Sequence, residues 1–446
     1  LQCKIVKGDK VIVCLEPSAE LCIAMMALFY LGAVYVPITP ETPTRRQQIM
    51  ASQCGAKWVL ADSAGMLAES LPSIDITAVL ASATQFEATF ETDLKGHDPA
   101  YIIFTSGTTG VPKGVLVHHA GIHNAVNWRR HALGFSPDDR TLQMPSIAVD
   151  GSIMDILSTL ASGAALILMS SEDKKVLSRV ADLVKSERVS HFLVTPSLYR
   201  VLLNEVPEVT KNLRFVTVAG EALSPDLAQL HHRLAPSVTL WNEYGPTECS
   251  VVATACIVES DTEVTIGSPI SGAELLILDE QQRPVPTGVW GQCWIGGVGV
   301  ALGYVNNDAL TLERFTTLPG RGQQRFYDTG DVARYLPSGE LAYRGRADAQ
   351  VKLNGYRVEL EEVEGVLLQV LESQFVAAAV ISVSGNEVLH AWLVGGDLPD
   401  NWRQQVAQHL PVWMIPAALH KVDSLPLLPS GKLNRSALSA PDRLPS

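Results

Sequence analysis

Residues 101–114, YIIFTSGTTGVPKG, combine an apolar run, a cluster of small and hydroxylated residues, and one lysine. Tyr101 to Phe104 reads as the end of a buried strand. Thr105, Ser106, Gly107, Thr108, Thr109 and Gly110 follow, and Lys113 stands between Pro112 and Gly114. Glycine permits tight turning and close approach of a ligand. Successive backbone N–H groups and hydroxyls can surround phosphate oxygens, and Lys113 adds a mobile positive charge. The spacing is not that of the Walker A loop, GxxxxGK followed by Ser or Thr. A structural surface turn and a phosphate loop of another kind both satisfy the composition.

Four further clusters are polar for their surroundings. In NEYGPTE, 242–248, Tyr244 offers a stacking face, Thr247 a hydroxyl for a phosphate oxygen, and Glu248 a carboxylate for a hard cation such as magnesium. In YDTGD, 327–331, Asp331 beside a glycine turn can accept two ribose hydroxyls; a solvated β-turn has the same composition. Residues 342–364, AYRGRADAQVKLNGYRVELEEVE, concentrate Tyr343, Arg344, Arg346, Asp348, Lys352 and Arg357, as an inter-domain seam would. LPSGKLNR, 428–435, places Lys432 in a glycine-flanked loop.

These residues need a framework. Short apolar runs such as VIVCL, KWVLAD, TAVL, AALILM, HFLVTP and LRFVTVAG alternate with helix-like segments such as KKVLSRVADLVKSE. That alternation predicts α/β units with mostly parallel strands. From about residue 260, strand-like segments alternate with turns (AELLILDE, QCWIGG, VARYLPSGELAYRG), as in a smaller β-rich subdomain. Residues 349–446 read as an α+β unit with one short strand, a helix from Leu360 to Glu372, two strands and a second helix, WRQQVAQHL. The expected fold class is therefore α/β: a large N-terminal α/β core with a β-rich subdomain, 1–347, and a small α+β C-terminal domain, 348–446.

The chain has 446 residues, 47% apolar and 18% charged, a balance that suits a folded rather than a disordered protein. Its net charge of -13 and the lack of a basic stripe argue against a nucleic-acid partner. Glycine, proline or charge interrupts every apolar stretch before the roughly eighteen residues a membrane helix needs. The seven cysteines are odd in number and form no CxxC, so they read as reduced cytosolic thiols. The neighbours His118–His119 and His231–His232 point apart, so no shared metal is expected there.

Taken in order, these segments resemble the adenylate-forming enzymes, and in particular the amino-acid adenylation domains of nonribosomal peptide synthetases. LGAVYVPITPETP, YIIFTSGTTGVPKG, NEYGPTE, GVGVALGY, YDTGD, GRADAQVKLNGYRVELEEVE, LPVWMIP and LPSGKLNR are similar to successive core motifs of that family. The first core motif would precede residue 1, so the N-terminal core reads as truncated at its start. The resemblance implies two half-reactions: an amino-acid carboxylate attacks the α-phosphorus of ATP, releasing pyrophosphate, and a carrier-bound phosphopantetheine thiol then takes the acyl group, releasing AMP.

The resemblance also implies residue roles. Thr105 through Gly110 and Lys113 would hold the β- and γ-phosphates. Gly220, Glu221 and Asn242 would border adenine, with Tyr244 and Tyr343 packed beside it. Thr247 would contact the α-phosphate and Glu248 would hold Mg²⁺. Asp331 would bind ribose, helped by Arg346. Lys432 would be the adenylation lysine. Asp348 would be the hinge on which the small, mobile C-terminal domain turns, presenting the face around Lys352 and Gly355 for the second half-reaction. Asn354 departs from the arginine often found there, which removes one charge from that face.

In SIAVDGSIMD, 146–155, Asp150 matches the residue that pairs with the substrate's α-ammonium; the same run also reads as a helix start with Asp as cap. Val149 and Met154 depart from the usual aromatic residues. The family's pocket positions correspond to Asp150, Gly151, Met154, Leu193, Thr217, Ala219, Glu243, Val251, Val252 and Lys432. The lining is mostly apolar, with Thr217 and Glu243 as exceptions that could receive a phenolic hydroxyl, and a buried Glu243 needs a partner. Tyrosine is the expected substrate, then phenylalanine or another aromatic, then leucine; a basic side chain is a further alternative. Rival identities are a stand-alone acyl-CoA or aryl-CoA ligase and a catalytically degenerate binding domain. Expected partners are the amino acid, a peptidyl carrier protein domain, a condensation domain and an MbtH-like protein, in a cytoplasmic assembly line without membrane contact.

Overall fold

The computed structural model describes residues 5–61, 71–82, 93–107, 112–260, 262–347, 350–353, 355–383, 386–396, 398–426 and 433–438. By contacts the chain divides into two units. The first gathers Leu1–Pro40, Ala51–Phe104 and Gly114–Ala347; the second gathers Glu41–Met50, Thr105–Lys113 and Asp348–Ser446.

The first unit starts with a β-α-β turn. In KVIVC, the strand Lys10–Cys14, Val11, Ile12 and Val13 are all buried, the pattern of a strand covered on both faces. The helix Ala19–Leu31 is opened by the Ser18 hydroxyl, which accepts from the Leu21 amide at 3.2 Å, and closed by left-handed Gly32. The chain returns parallel as Val34–Pro37. These strands are part of a seven-stranded sheet that also contains Pro99–Thr105 and Lys113–His118.

A second seven-stranded sheet runs Ser268–Pro269, Thr254–Ile257, Thr239–Tyr244, Phe215–Val218, His191–Val194, Arg140–Leu142 and Ala165–Ile167. Its central strands are parallel, in register Leu193 beside Thr217 beside Trp241. Alternation divides their side chains. Phe192, Val194, Val216 and Val218 join a core with the helices Leu177–Ser186, Pro196–Glu205 and Pro225–Leu234. His191, Leu193, Phe215, Thr217 and Glu243 point to the opposite face, where Arg129 of the helix His119–Ala132 meets His191 and Glu243.

A third, antiparallel sheet of Ala273–Leu278, Gly291–Gly297, Phe315–Thr317, Arg325–Tyr335 and Leu341–Arg346 is the β-rich subdomain. In the second unit, the helix Leu360–Leu371 packs Leu360, Val363 and Leu367 into a core with the strands Phe375–Val383 and Asn386–Val394. Ala418–Val422 runs parallel to the latter.

Four local expectations change. TAVL belongs to the helix Ile76–Ser82 rather than to a strand, because Asp75 Oδ1 accepts from the Thr77 and Ala78 amides and starts a helix there. The single short strand expected early in the C-terminal part is a hairpin, Val351–Leu353 with Tyr356–Val358, turned by left-handed Gly355. WRQQVAQHL is helical only over Trp402–Val406 and ends in turns ahead of Pro411. Asp150 is the first residue inside the helix Asp150–Ala161, whose cap position is Val149, so its carboxylate is not spent as a cap.

Candidate functional site

Asp331 lies on the long strand Arg325–Tyr335 and is buried. Its Oδ2 accepts from the Tyr244 hydroxyl at 2.6 Å. Its Oδ1 accepts from the Tyr343 hydroxyl and from Arg346 Nη1, both at 3.3 Å. Strand register explains the pairing, since Asp331 and Arg346 are direct neighbours across the sheet. The Tyr244 and Tyr343 rings are 6.0 Å apart, inclined at 45°. Burial pushes the Tyr244 hydroxyl well above the usual phenol range, and the Asp331 charge adds to this, so it stays a donor.

Two of the expected adenine neighbours have structural work. Glu221 accepts from both the amide and the hydroxyl of Ser197, at 3.0 Å each, which steadies the start of the helix Pro196–Glu205. Asn242 Nδ2 donates to the Thr265 carbonyl at 2.7 Å. Gly220 is left-handed, with φ of 86°.

Asp150, Thr247 and Glu248 form a second group. The Thr247 hydroxyl favours the charged form of the Asp150 carboxylate, and Glu248 lies close enough to repel it. Burial pushes the Asp150 carboxyl up to about 6; Thr247 acts against that shift and the Glu248 charge acts with it. Asp150 Oδ2 is buried and accepts no hydrogen bond. Glu248 is fully buried, and its Oε1 accepts from the Tyr304 hydroxyl at 2.7 Å. The loop that carries Thr247 and Glu248 is wound tightly. Ser250 and Val251 have φ of 57° and 78°, an unusual conformation for a β-branched residue. A Cβ on Gly245 would lie 2.4 Å from the Val251 carbonyl oxygen, which requires glycine there.

The candidate substrate positions follow from the sheet and from the Asp150 helix. A Cβ on Gly151 would touch Leu193 Cδ2 at 3.3 Å, so the absent side chain leaves space against Leu193. Leu193 and Thr217 are register partners, and Ala219 follows the same strand. Met154 and Val252 are buried in the main core, and Val251 packs against it. Glu243 has Arg129 beside it, with Nε 3.3 Å from Oε1. Arg129 also pairs with Asp155 at 3.0 Å, and all three side chains are buried. Removing one member of such a buried group costs about 3–5 kcal/mol.

Arg129, Asp155 and His191 were not singled out from the sequence, yet a signal was present. In the helix His119–Ala132 the buried residues are Gly121, Ile122, Ala125, Val126 and Arg129. An arginine on the apolar stripe of an amphipathic helix must meet a buried counter-charge.

Within the second unit, Lys113 Nζ lies 3.0 Å from Glu359 Oε1, and the Ser106 hydroxyl donates to the Arg357 carbonyl at 2.7 Å. Gly107 donates its amide to Glu362 Oε2 at 3.1 Å. Thr105 Oγ1 is buried without a hydrogen-bond partner. Lys352 pairs in register with Arg357 on the short hairpin. Thr108, Thr109, Gly110, Asp348, Asn354 and Lys432 lie outside the described residues. Among the described residues, no three His, Cys, Asp or Glu side chains group as a metal site, and no helix is long and apolar enough to cross a membrane.

Comparison with known proteins fits this geometry. The family model "AMP-binding enzyme" matches residues 1–305. Bacitracin synthase 3 of Bacillus licheniformis is 38% identical over 449 residues, covering 98% of this chain and 7% of that protein. Tyrocidine synthase 3 of Brevibacillus parabrevis is 35% identical over 460 residues, covering 99% of this chain and 7% of that protein. The chain thus spans only a small part of these relatives' length. An artificially fused adenylation–PCP di-domain nonribosomal peptide synthetase from Klebsiella oxytoca, NpsA-ThdA, superposes with a TM-score of 0.84 at 29% identity, covering 94% of this chain and 85% of that one. The chain belongs to the AMP-binding enzymes, the adenylate-forming ligases, and within them to the adenylation domains of nonribosomal peptide synthetases.

Proposed function

We propose that this chain activates an α-amino acid with ATP, forming an aminoacyl-adenylate and pyrophosphate, and passes the acyl group to the phosphopantetheine thiol of a carrier domain. The observation that carries the proposal is Asp150. Its buried Oδ2 accepts no hydrogen bond, and its carboxylate stands in the first turn of a helix, where Thr247 favours its charged form. A substrate α-ammonium supplies both the missing donor and the counter-charge. An aryl or fatty acid would leave the carboxylate unpaired, at a cost.

The nucleotide roles follow. Asp331, pre-set by Tyr244, Tyr343 and Arg346, is the ribose acceptor. Glu248 suits Mg²⁺: it is a buried carboxylate next to the second carboxylate of Asp150, so the pair favours a cation. Bound there, the ion would neutralise phosphate charge. For Thr105 to Gly110, Lys113 and Lys432, support comes from the motif resemblance. Lys432 stabilises the pentavalent phosphorus, and Lys352, with Asp348 as the hinge between 1–347 and 348–446, serves the thiol-transfer step. The di-domain likeness supports a carrier partner; a condensation domain, an MbtH-like protein and a cytoplasmic setting belong to the same proposal. Tyrosine ranks first among substrates, because the lining is apolar except at Thr217 and Glu243.

Amino-acid-dependent ATP–pyrophosphate exchange over the standard amino acids, with the wild type and Lys432→Ala, tests the proposal. Exchange peaking at tyrosine and lost in the variant supports it. A peak at another residue overturns the tyrosine assignment alone. Silence with every amino acid, with an MbtH-like protein added, overturns amino-acid activation.

A further inference from the structure

Besides Asp150 and Lys432, the polar residues among the candidate substrate positions are Thr217 and Glu243, and both lead to the same buried group. Arg129 meets Asp155 Oδ1 through Nη1 at 3.0 Å, Glu243 Oε1 through Nε at 3.3 Å, and His191 Nε2 through Nη2 at 3.3 Å. His191 Nε2 in turn lies 3.3 Å from Thr217 Oγ1. A guanidinium only donates, so His191 accepts through Nε2 and is neutral. Burial and the Arg129 charge both hold its pKa well below the usual imidazole value.

Within this group the two carboxylates are not equivalent. Asp155 Oδ1 takes an aligned hydrogen bond from Arg129. Glu243 has the arginine's charge nearby but accepts no hydrogen bond through either oxygen, although it is 4% exposed. Lys174 adds a second positive charge acting on Asp155, which leaves the guanidinium to offset Glu243, so Glu243 has charge compensation and lacks a donor. A phenol supplies a donor without charge. An ammonium supplies a donor with a second positive charge beside Arg129, which is repulsive in a site of low dielectric.

We propose that Arg129 is a positioning residue for substrate choice: it holds Glu243 as a charge-compensated acceptor, so that the matching side chain is a neutral hydrogen-bond donor and not a cation. The inference rests on the amino-acid-activating function proposed above. Arg129 touches neither substrate nor nucleotide in this scheme; it acts through Glu243.

The test measures kcat and KM for tyrosine, phenylalanine, leucine, lysine and ornithine by pyrophosphate exchange in the full chain, with Glu243→Gln, Arg129→Met and Arg129→Lys. The wild type is expected to favour tyrosine over phenylalanine by about tenfold or more, and Glu243→Gln to erase most of that ratio through KM. Arg129→Met removes the counter-charge from Asp155 and Glu243 and should raise lysine relative to tyrosine by about tenfold. If that variant does not fold, Arg129→Lys and Glu243→Gln decide. Arg129→Lys keeps the charge but not the fork, and should lower the tyrosine-to-phenylalanine ratio without admitting lysine. A purely structural role would lower all substrates together. Unchanged substrate ratios in the variants, or a wild type that prefers an apolar or cationic side chain, overturn the Arg129 inference while amino-acid activation stands. Absence of exchange with every amino acid overturns both.

Discussion

Tyr244 and Asp331 are 87 positions apart in the chain and are joined by a buried 2.6 Å hydrogen bond. One comes from the end of a parallel strand, the other from the antiparallel subdomain. The bond ties the two sheets together at the carboxylate proposed to receive ribose. Tyr244→Phe leaves Asp331 with fewer donors in a buried setting. We expect a loss of about 1–3 kcal/mol in stability and a raised KM for ATP, read by thermal unfolding and exchange kinetics.

Asp150 must be ionised to hold an ammonium, and its carboxyl titrates near 6. The acid limb of kcat/KM for the amino acid should therefore fall near pH 6 and be absent from the residual activity of Asp150→Asn. Stability runs the other way. The folded pKa lies above the ordinary value of 3.8, so the cost of the buried charge grows from about pH 4 and is complete above about pH 6. Relative to wild type, Asp150→Asn should become more stable as pH rises through that window, checked by unfolding midpoints from about pH 4 to pH 8.

Glu248 is proposed to hold magnesium. Chelation of the metal should abolish exchange, and excess Mg²⁺ should restore it. Glu248→Gln should raise the Mg²⁺ concentration needed for half-maximal rate by about tenfold or more, since one charged ligand is lost. Tyr304→Phe keeps the carboxylate and removes its 2.7 Å donor together with a 3.4 Å contact to the Tyr327 hydroxyl, so its shift should be smaller.

Gly245→Ala places a methyl 2.4 Å from one backbone atom and 2.7 Å from another. Backbone cannot step aside as a flexible side chain does. The Thr247–Glu248 loop should shift, with a drop of at least about 2 kcal/mol in stability and a larger loss in exchange. Circular dichroism on melting, alongside the exchange rate, checks both effects.

The sequence was most legible where geometry is local. Strand and helix periodicity around Val11 and Leu360, the turn glycines and the motif order each depend on neighbouring residues. The network around Arg129 depends instead on parallel register, which sets Leu193 beside Thr217 and turns Glu243 toward a helix more than a hundred positions earlier. No local pattern reports such a meeting; its traces were an arginine on an apolar stripe and a buried Glu243 in need of a partner. The Asp150 run, by contrast, allowed a cap and a ligand role together, and the backbone puts the cap position at Val149 instead of Asp150.

That network bears on redesign. Leu193 and Thr217 hang from strands held by main-chain hydrogen bonds, so exchanging Leu193 should alter the volume of the proposed substrate site without disturbing its frame. Glu243 is different, because the guanidinium that offsets its charge also pairs with Asp155. Laboratory evolution confined to the lining would meet a dead end at Glu243, and paired libraries at 129 and 243 would open it.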